Sequence, residues 1–403
     1  MCGSAARTGY VRNAMSELIT TGSRESFSLL GGPLHQIGRR FGLVRGTNTV
    51  RLGLALGVGL WLVIVALALI AGTTDRLFQL SVVGGHARLL LVIPLFFMCE
   101  SWVDPRMTAF VATIARTGVV PRGATAALDT EVARANQRAN AWWPEAAWLL
   151  IAIVLEVSGT RLQEYGTTEV YDPSRSTLAA LMYFRVGMTL YRFLVYRWAW
   201  KLALWCWFLW RVSRLDLRLI PGHPDRAGGL GPLDGVNERF TPLVAAHSIV
   251  QCALLAESIA TGTLVASGIY PWLTAWVTLV LLIDGALFLC PLLVFTDKLW
   301  ASRTTGSGQY NRFAARYVSE FEAKWTGDAA PGDGPLLGTA DIQSLADLGH
   351  AVRVVKEMRW IVVSRRLLTM MALAAVVPFA PLLLFQYPIA ELAQKVFSKL
   401  IGL

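Results

Sequence analysis

The chain has 403 residues, of which 54% are apolar and 16% charged, and its mean hydropathy is +0.49. A soluble domain has roughly 25% charged residues, so a chain this long and this apolar could not hide its apolar residues in a soluble core. The composition excludes a disordered protein, a collagen-like protein and an ordinary cytosolic enzyme. It predicts a multi-pass membrane protein.

Seven apolar runs are candidates for transmembrane helices, which need about 20 mostly apolar residues each. The runs are 52–72, 88–102, 141–159, 178–201, 241–268, 270–295 and 367–387. The run at 88–102 is short and the run at 178–201 contains arginines, so whether these two cross fully is left open. The predicted fold is all-α, a polytopic helical membrane protein of about seven transmembrane helices with a small cytoplasmic helical layer.

The basic residues are distributed unevenly between the two predicted sides of the membrane. With the N-terminus inside, the inner segments 1–51, 105–140, 211–240 and 298–366 carry 27 of the 37 Lys and Arg, and the outer segments carry 5. This excess fits the positive-inside rule. It predicts a bacterial inner-membrane protein with a cytoplasmic N-terminus, and it explains the net charge of +10 without a nucleic-acid partner.

The predicted spans divide the chain into four parts. Residues 1–51 form an amphipathic N-terminal segment, 52–297 the membrane domain, 298–366 a cytoplasmic helical region, and 367–403 the last span with an amphipathic tail. Residues 1–51 lack the apolar stretch of a signal peptide, and Met15 is an alternative start. Segment 27–44 is expected to lie on the inner membrane surface.

The five cysteines are spread over the chain and form no CxxC pair. We therefore expect no disulfide framework, no metal site and no cofactor. The expected partners are the lipid bilayer and its anionic lipids, and a homo-oligomer is left open.

Tryptophans crowd the segment 197–218. Trp prefers the membrane–water interface, where its ring is buried and its N–H finds a partner. We predict an interfacial anchor formed by Trp198, Trp200, Trp205, Trp207 and Trp210. Arg197 and Lys201 are expected among inner-leaflet phosphates. The alternative is a binding site for an anionic lipid or a phosphorylated amphiphile.

A loop of sequence HPDRAGGLG follows this segment. Its prolines stop the helix, and its glycines allow positive φ and close backbone approach. The candidate residues of this inner-mouth loop are His223, Asp225, Arg226, Gly228, Gly229 and Gly231. They suggest either a gate or an anion or metal site, or else a tight structural loop. The glycine spacing matches neither the P-loop nor the dinucleotide fingerprint.

The loop, the Trp- and Arg-rich helix before it and the segments 27–33, 317–325, 338–349 and 354–359 together resemble an uncharacterised family of bacterial multi-pass inner-membrane proteins with an HPDRAGGLG loop. The resemblance spans nearly the whole chain. It implies a membrane protein and brings no activity with it. His350 and Pro232 depart from the usual Asn and Phe of the family.

Charged residues inside predicted spans are the remaining candidates for a site. An ionisable group at the bilayer centre is costly, so it usually faces a cavity or a partner. Arg185, Glu257 and Asp284 are predicted to form an intramembrane polar path, in which Arg185 pairs with one of the two carboxylates at similar depth. The alternative is an ion pair that serves only the packing of the helices.

Three classes of function remain open at this stage. The favoured one is an ion or small-solute transporter or channel that uses the polar path. The second is a membrane-embedded enzyme that acts on a lipid-like substrate at the inner interface. The third is a non-catalytic scaffold or assembly subunit. Whether the protein is an enzyme is left open, although the absence of HExxH, SxxK and GxSxG motifs weakens that class.

Overall fold

The computed structural model describes residues 26–157, 178–263, 269–326 and 340–385. Within these ranges the regular structure is helical, which confirms the all-α prediction. The main helices are α1 (Pro33–Arg40), α2 (Val50–Ile70), α3 (Leu80–Arg116), α4 (Thr125–Asn140), α5 (Trp142–Val157), α6 (Leu178–Ser213), α7 (Pro232–Ala260), α8 (Ile269–Leu289), α9 (Thr296–Trp325), α10 (Ala340–Lys356) and α11 (Arg365–Val376).

Six helical stretches of the described ranges are long and apolar enough to cross a membrane. They are α2, α3, α6 and α7, the stretch Leu273–Trp325 that joins most of α8 to α9, and the stretch Arg365–Leu382 that begins with α11. The third predicted span, 141–159, corresponds to α5, which has 16 residues and ends at Val157, where the described range also ends. The predicted tail 388–403 and residues 1–25 lie outside the described residues.

Helices α3 and α7 form the centre of the bundle. Their most apolar windows are 50% and 56% buried, against 22–28% for the other candidate spans. The peripheral helices expose large apolar side chains such as Ile70 and Leu282. Such faces are stable in lipid and costly in water, so the chain is built as an integral membrane protein.

The four segments predicted to lie inside meet at one end of the bundle, which we call the basic end. The Arg218 amide donates to the Val119 carbonyl at 2.7 Å, and Arg226 forms an ion pair with Glu357 at 3.1 Å. The amide of Leu34 bonds to Glu145 at the start of α5. Loops 105–140, 211–240 and 298–366 therefore share one side with residues 26–51, and the assignment of that side to the cytoplasm stays a prediction.

Helices α9 and α10 pack against each other at the basic end. Lys324 Nζ lies 2.5 Å from Asp341 Oδ2, and the Tyr317 hydroxyl donates to the Asp341 carbonyl at 3.1 Å. The predicted helical region 298–366 thus contains two helices that pair with each other.

Two of the spanning helices contain a π-helical turn, Ala87–Val92 in α3 and Tyr183–Met188 in α6. The two turns are neighbours, because Arg88 Nη1 donates to the Tyr183 hydroxyl at 2.8 Å. Such turns widen a helix locally and are frequent at functional sites.

Candidate functional site

Four charged side chains meet inside the bundle, in the half nearer the basic end. Arg197 and Lys201 lie one turn apart on α6, so they project from the same face. Arg197 bonds to Glu100 on α3 and to Glu145 on α5, the latter at 2.7 Å, and Lys201 Nζ lies 2.7 Å from Glu100. None of the four is more than 7% exposed. We call this group, with Asp104, the ion cluster.

The N-terminal segment 26–34 covers the ion cluster from the basic end. Asp104, one turn beyond Glu100 on α3, accepts hydrogen bonds from the Ser28 hydroxyl at 2.8 Å and from the Leu29 amide at 2.8 Å. The Leu34 amide donates to the second oxygen of Glu145 at 2.9 Å. The carboxylate of Glu145 lies directly against the backbone at position 32, which therefore has to be a glycine. Its φ is +86°, and a Cβ there would lie 2.6 Å from Glu145 Cδ.

A small cavity of about 20 Å³ lies between the segment and the cluster. Glu100, Asp104 and Lys201 line it together with apolar side chains such as Leu29 and Trp198. A cavity of this size has room for about one water molecule. Glu100 Oε2 is buried next to it and has no hydrogen-bond partner within the part of the chain that the structure describes.

The ion cluster has more acidic than basic groups. Glu100, Glu145 and Asp104 bring three carboxylates, while Arg197 and Lys201 bring two cations. The neighbouring His35 adds no positive charge to the cluster, because burial lowers the pKa of its imidazole and keeps it neutral at pH 7. An uncompensated buried charge is costly. The third carboxylate is therefore best satisfied by a proton or a small bound cation.

The predicted pairing of Arg185 with Glu257 or Asp284 is not what the structure shows. Arg185 Nη1 donates to the Glu156 carbonyl at 3.5 Å. Glu257 accepts from the Gly84 amide at 2.7 Å, and a Cβ at Gly84 would lie 3.2 Å from Arg88 Nη1. The cation beside Glu257 is thus Arg88.

Asp284 has a different partner again and lies at a different depth from Glu257. Asp284 Oδ1 is 2.9 Å from His247 Nδ1, and His247 precedes Glu257 by ten residues, or about 15 Å, along α7. In an antiparallel pair, residues equally far from the turn face each other. Glu257 is close to the end of α7 and Asp284 is far from the start of α8, so the prediction of similar depth was wrong.

The HPDRAGGLG loop is built around the carboxylate of Asp225. This carboxylate accepts hydrogen bonds from the amides of Ala227 at 2.8 Å, Gly229 at 3.0 Å and Gly231 at 2.8 Å, and it lies 2.8 Å from His223 Nδ1. Partial burial raises the pKa of Asp225, but these hydrogen bonds together outweigh it and hold the pKa below its usual value. The carboxylate is therefore ionised at neutral pH, and its hydrogen bonds are already satisfied within the loop.

The loop is fastened to the rest of the basic end. Gly228 and Gly229 have φ of +65° and +98°, and Arg226 also has positive φ, at +54°. The Arg226 carbonyl accepts from the Arg359 amide at 2.7 Å. These contacts favour the structural reading of the loop over an anion, metal or gating site, and no group of three or more possible metal ligands occurs in the described ranges.

The tryptophans of α6 divide between the core and the surface. Trp198 and Trp205, seven residues apart on one face, are 5% and 2% exposed, so they pack in the core instead of anchoring the helix at the interface. Trp207 lies under the Arg138 guanidinium at 4.0 Å, and Trp210 is exposed. Trp200 is half-buried against Trp143. Arg197 and Lys201 are likewise removed from lipid phosphates by their carboxylate partners.

Sequence reasoning missed the ion cluster as a unit. The sequence does contain a signal for it. One apolar helix carries two acids four residues apart on one face, Glu100 and Asp104. Another carries two bases at the same spacing, Arg197 and Lys201. Comparison of the chain with known protein families, with characterised proteins and with solved structures gives no match. The family resemblance of the loop therefore stays a prediction.

Proposed function

We propose that the protein is an inner-membrane transporter that moves protons, and that the ion cluster is its proton-binding site. The observation that carries this proposal is the buried excess of one carboxylate over the cations, beside a water-sized cavity. A proton is the smallest ion that restores the balance. Larger cations need several oxygen ligands, whereas Arg197 and Lys201 already occupy Glu100 Oε1.

Three polar layers follow one another along the central helices. The ion cluster lies nearest the basic end, the His247–Asp284 pair in the middle, and Glu257 with Arg88 and Tyr183 towards the opposite end. Buried polar groups in a bilayer commonly mark an ion or proton route.

Buried apolar side chains separate the first layer from the last on α3. They are Leu89, Val92, Ile93, Phe96 and Phe97. Proton transport therefore requires a conformational change that joins the layers for part of the cycle. The π-helical turns in α3 and α6 support such a change, because their hydrogen-bond register differs from that of the flanking helix.

Proton flux into liposomes tests this function. Purified protein is reconstituted with a pH-sensitive dye inside, and a potassium diffusion potential drives protons inward. The wild type is expected to raise the flux several-fold above protein-free liposomes, because the ion cluster releases and rebinds its proton. Asp104→Asn is expected to reduce the flux to background, because two carboxylates then balance two cations and no site remains for a proton.

The control for this assay is Asp216→Asn, which removes an exposed carboxylate near the end of α6 and should leave the flux unchanged. Wild-type flux equal to that of empty liposomes, with the driving potential applied in either direction, would contradict proton transport. That result would favour the alternative of a scaffold protein without a substrate.

A further inference from the structure

A patch of basic and apolar side chains stands on the surface where the chain enters its first spanning helix. We call it the N-terminal patch and define it by Arg39, Arg40, Arg45 and Arg51 with Ile37 and Phe41. All six side chains are exposed, and Phe41 has 76% of its surface open. The patch combines four positive charges with two large apolar groups.

The backbone beneath the patch is held firmly on the bundle. Gly38 of α1 lies so close to Val44 and Leu52 that a Cβ there would be 2.7 Å and 2.8 Å from their side chains. Arg45 and Asn48 exchange backbone hydrogen bonds across a tight turn. The Thr49 hydroxyl donates to the Phe97 carbonyl of α3 at 2.8 Å. The patch is therefore presented in a fixed geometry.

Three arginines elsewhere at the basic end have acidic partners, which the arginines of the patch lack among the described residues. Arg211, Arg226 and Arg366 form ion pairs with glutamates at 2.6–3.1 Å. Residues 26–51 contain no Asp or Glu, and none of the four patch arginines forms an ion pair within the described part of the chain. Their charges are available to an anion.

The position of the patch identifies the anion. Arg51 is in the first turn of α2, which is apolar over its length and only 22% buried, so the patch sits at the boundary between lipid and water. Arginine matches phosphate geometry and stays charged at all relevant pH values. Exposed apolar groups beside a cluster of arginines are the pattern of an interfacial lipid-binding segment.

We propose that the N-terminal patch binds the phosphate headgroups of anionic phospholipids in the adjacent leaflet, with Phe41 and Ile37 inserted at the level of the first acyl carbons. This site is independent of the ion cluster and of proton transport. It differs from the lipid site expected on α6, where Arg197 and Lys201 are already paired with carboxylates.

Native mass spectrometry of the detergent-solubilised full chain tests the site. The protein is titrated with phosphatidylglycerol and, separately, with phosphatidylcholine of the same acyl chains. The variant Arg39→Gln/Arg40→Gln/Arg45→Gln is expected to bind phosphatidylglycerol at least about tenfold more weakly, since each basic residue near a headgroup contributes to attraction. Its binding of phosphatidylcholine should change by less than about twofold.

Three further variants make the result specific. Arg312→Gln/Arg316→Gln/Arg353→Gln removes the same charge from exposed positions on α9 and α10 and should keep wild-type binding of phosphatidylglycerol. Phe41→Ser should weaken the binding of both lipids and leave the preference for phosphatidylglycerol unchanged. Arg40→Gln alone should lower phosphatidylglycerol binding about threefold to fivefold. This single variant tests the site if the triple variant does not fold. An unchanged preference in the arginine variants of the patch, or an equal loss in the α9–α10 control, would overturn the proposal.

Discussion

Replacement of Arg197 by leucine is expected to destabilise the folded protein by about 3–5 kcal/mol, because it leaves buried carboxylates without their cation. Arg197 is 2% exposed and bonds to both Glu100 and Glu145. Its loss changes the cluster from three carboxylates and two cations to three carboxylates and one. The free energy of unfolding in mixed micelles, followed by circular dichroism during denaturant titration, measures the effect.

The matched control for this prediction is Arg214→Leu, which removes an exposed arginine at the end of the same helix. It should change the free energy of unfolding by no more than about 0.5 kcal/mol. Addition of Glu145→Gln to Arg197→Leu should restore part of the loss, because one unpaired charge is removed. Equal destabilisation by the two arginine variants would show that the ion cluster contributes no electrostatic stability.

The second large effect is expected at Gly229 in the HPDRAGGLG loop. A valine there must adopt φ near +98°, which costs a non-glycine residue about 1–2 kcal/mol, and its Cβ would collide with Val119. The combined loss should be about 2–5 kcal/mol, since overpacking adds a further 1–3 kcal/mol or so. Protease resistance of the loop and the free energy of unfolding both report it.

Two comparisons separate strain from chemistry at this loop. Gly235→Val, six residues later and with open space around its Cβ, should be tolerated. His223→Ala removes one neighbour of Asp225 and leaves its three amide donors, so it should cost only about 1 kcal/mol. A larger effect of His223→Ala than of Gly229→Val, at normal expression, would indicate that the loop has a chemical role.

The helices were predictable because the signals for them are local. The apolar run at 52–72 matches α2 at Val50–Ile70, and the run at 241–268 overlaps α7 at Pro232–Ala260. The distribution of Lys and Arg correctly grouped the segments that meet at the basic end, since that grouping depends only on counting charges between apolar runs. Neither inference needs information about which helices touch.

The site could not be derived in the same way because it depends on contacts between distant helices. Glu257 meets the buried Arg88 and not Arg185, which is exposed, and this choice is made by the rotation and depth of α3 and α6. The helix predicted for the Trp-rich segment is present, but its predicted position at the interface was wrong for Trp198 and Trp205, which face the core. A single sequence contains the side chains of the ion cluster and leaves their pairing undetermined.

The ion cluster holds one more carboxylate than its cations balance, so we expect it to carry a proton at neutral pH. Infrared difference spectroscopy of wild type against Asp104→Asn tests it directly, because a protonated carboxyl and an ionised carboxylate absorb at different frequencies. We expect a protonated-carboxyl band in the wild type that persists in Asp216→Asn and is absent from Asp104→Asn. This holds whichever of Glu100, Glu145 and Asp104 carries the proton. A wild-type spectrum without this band, or the same band in both proteins, would contradict it.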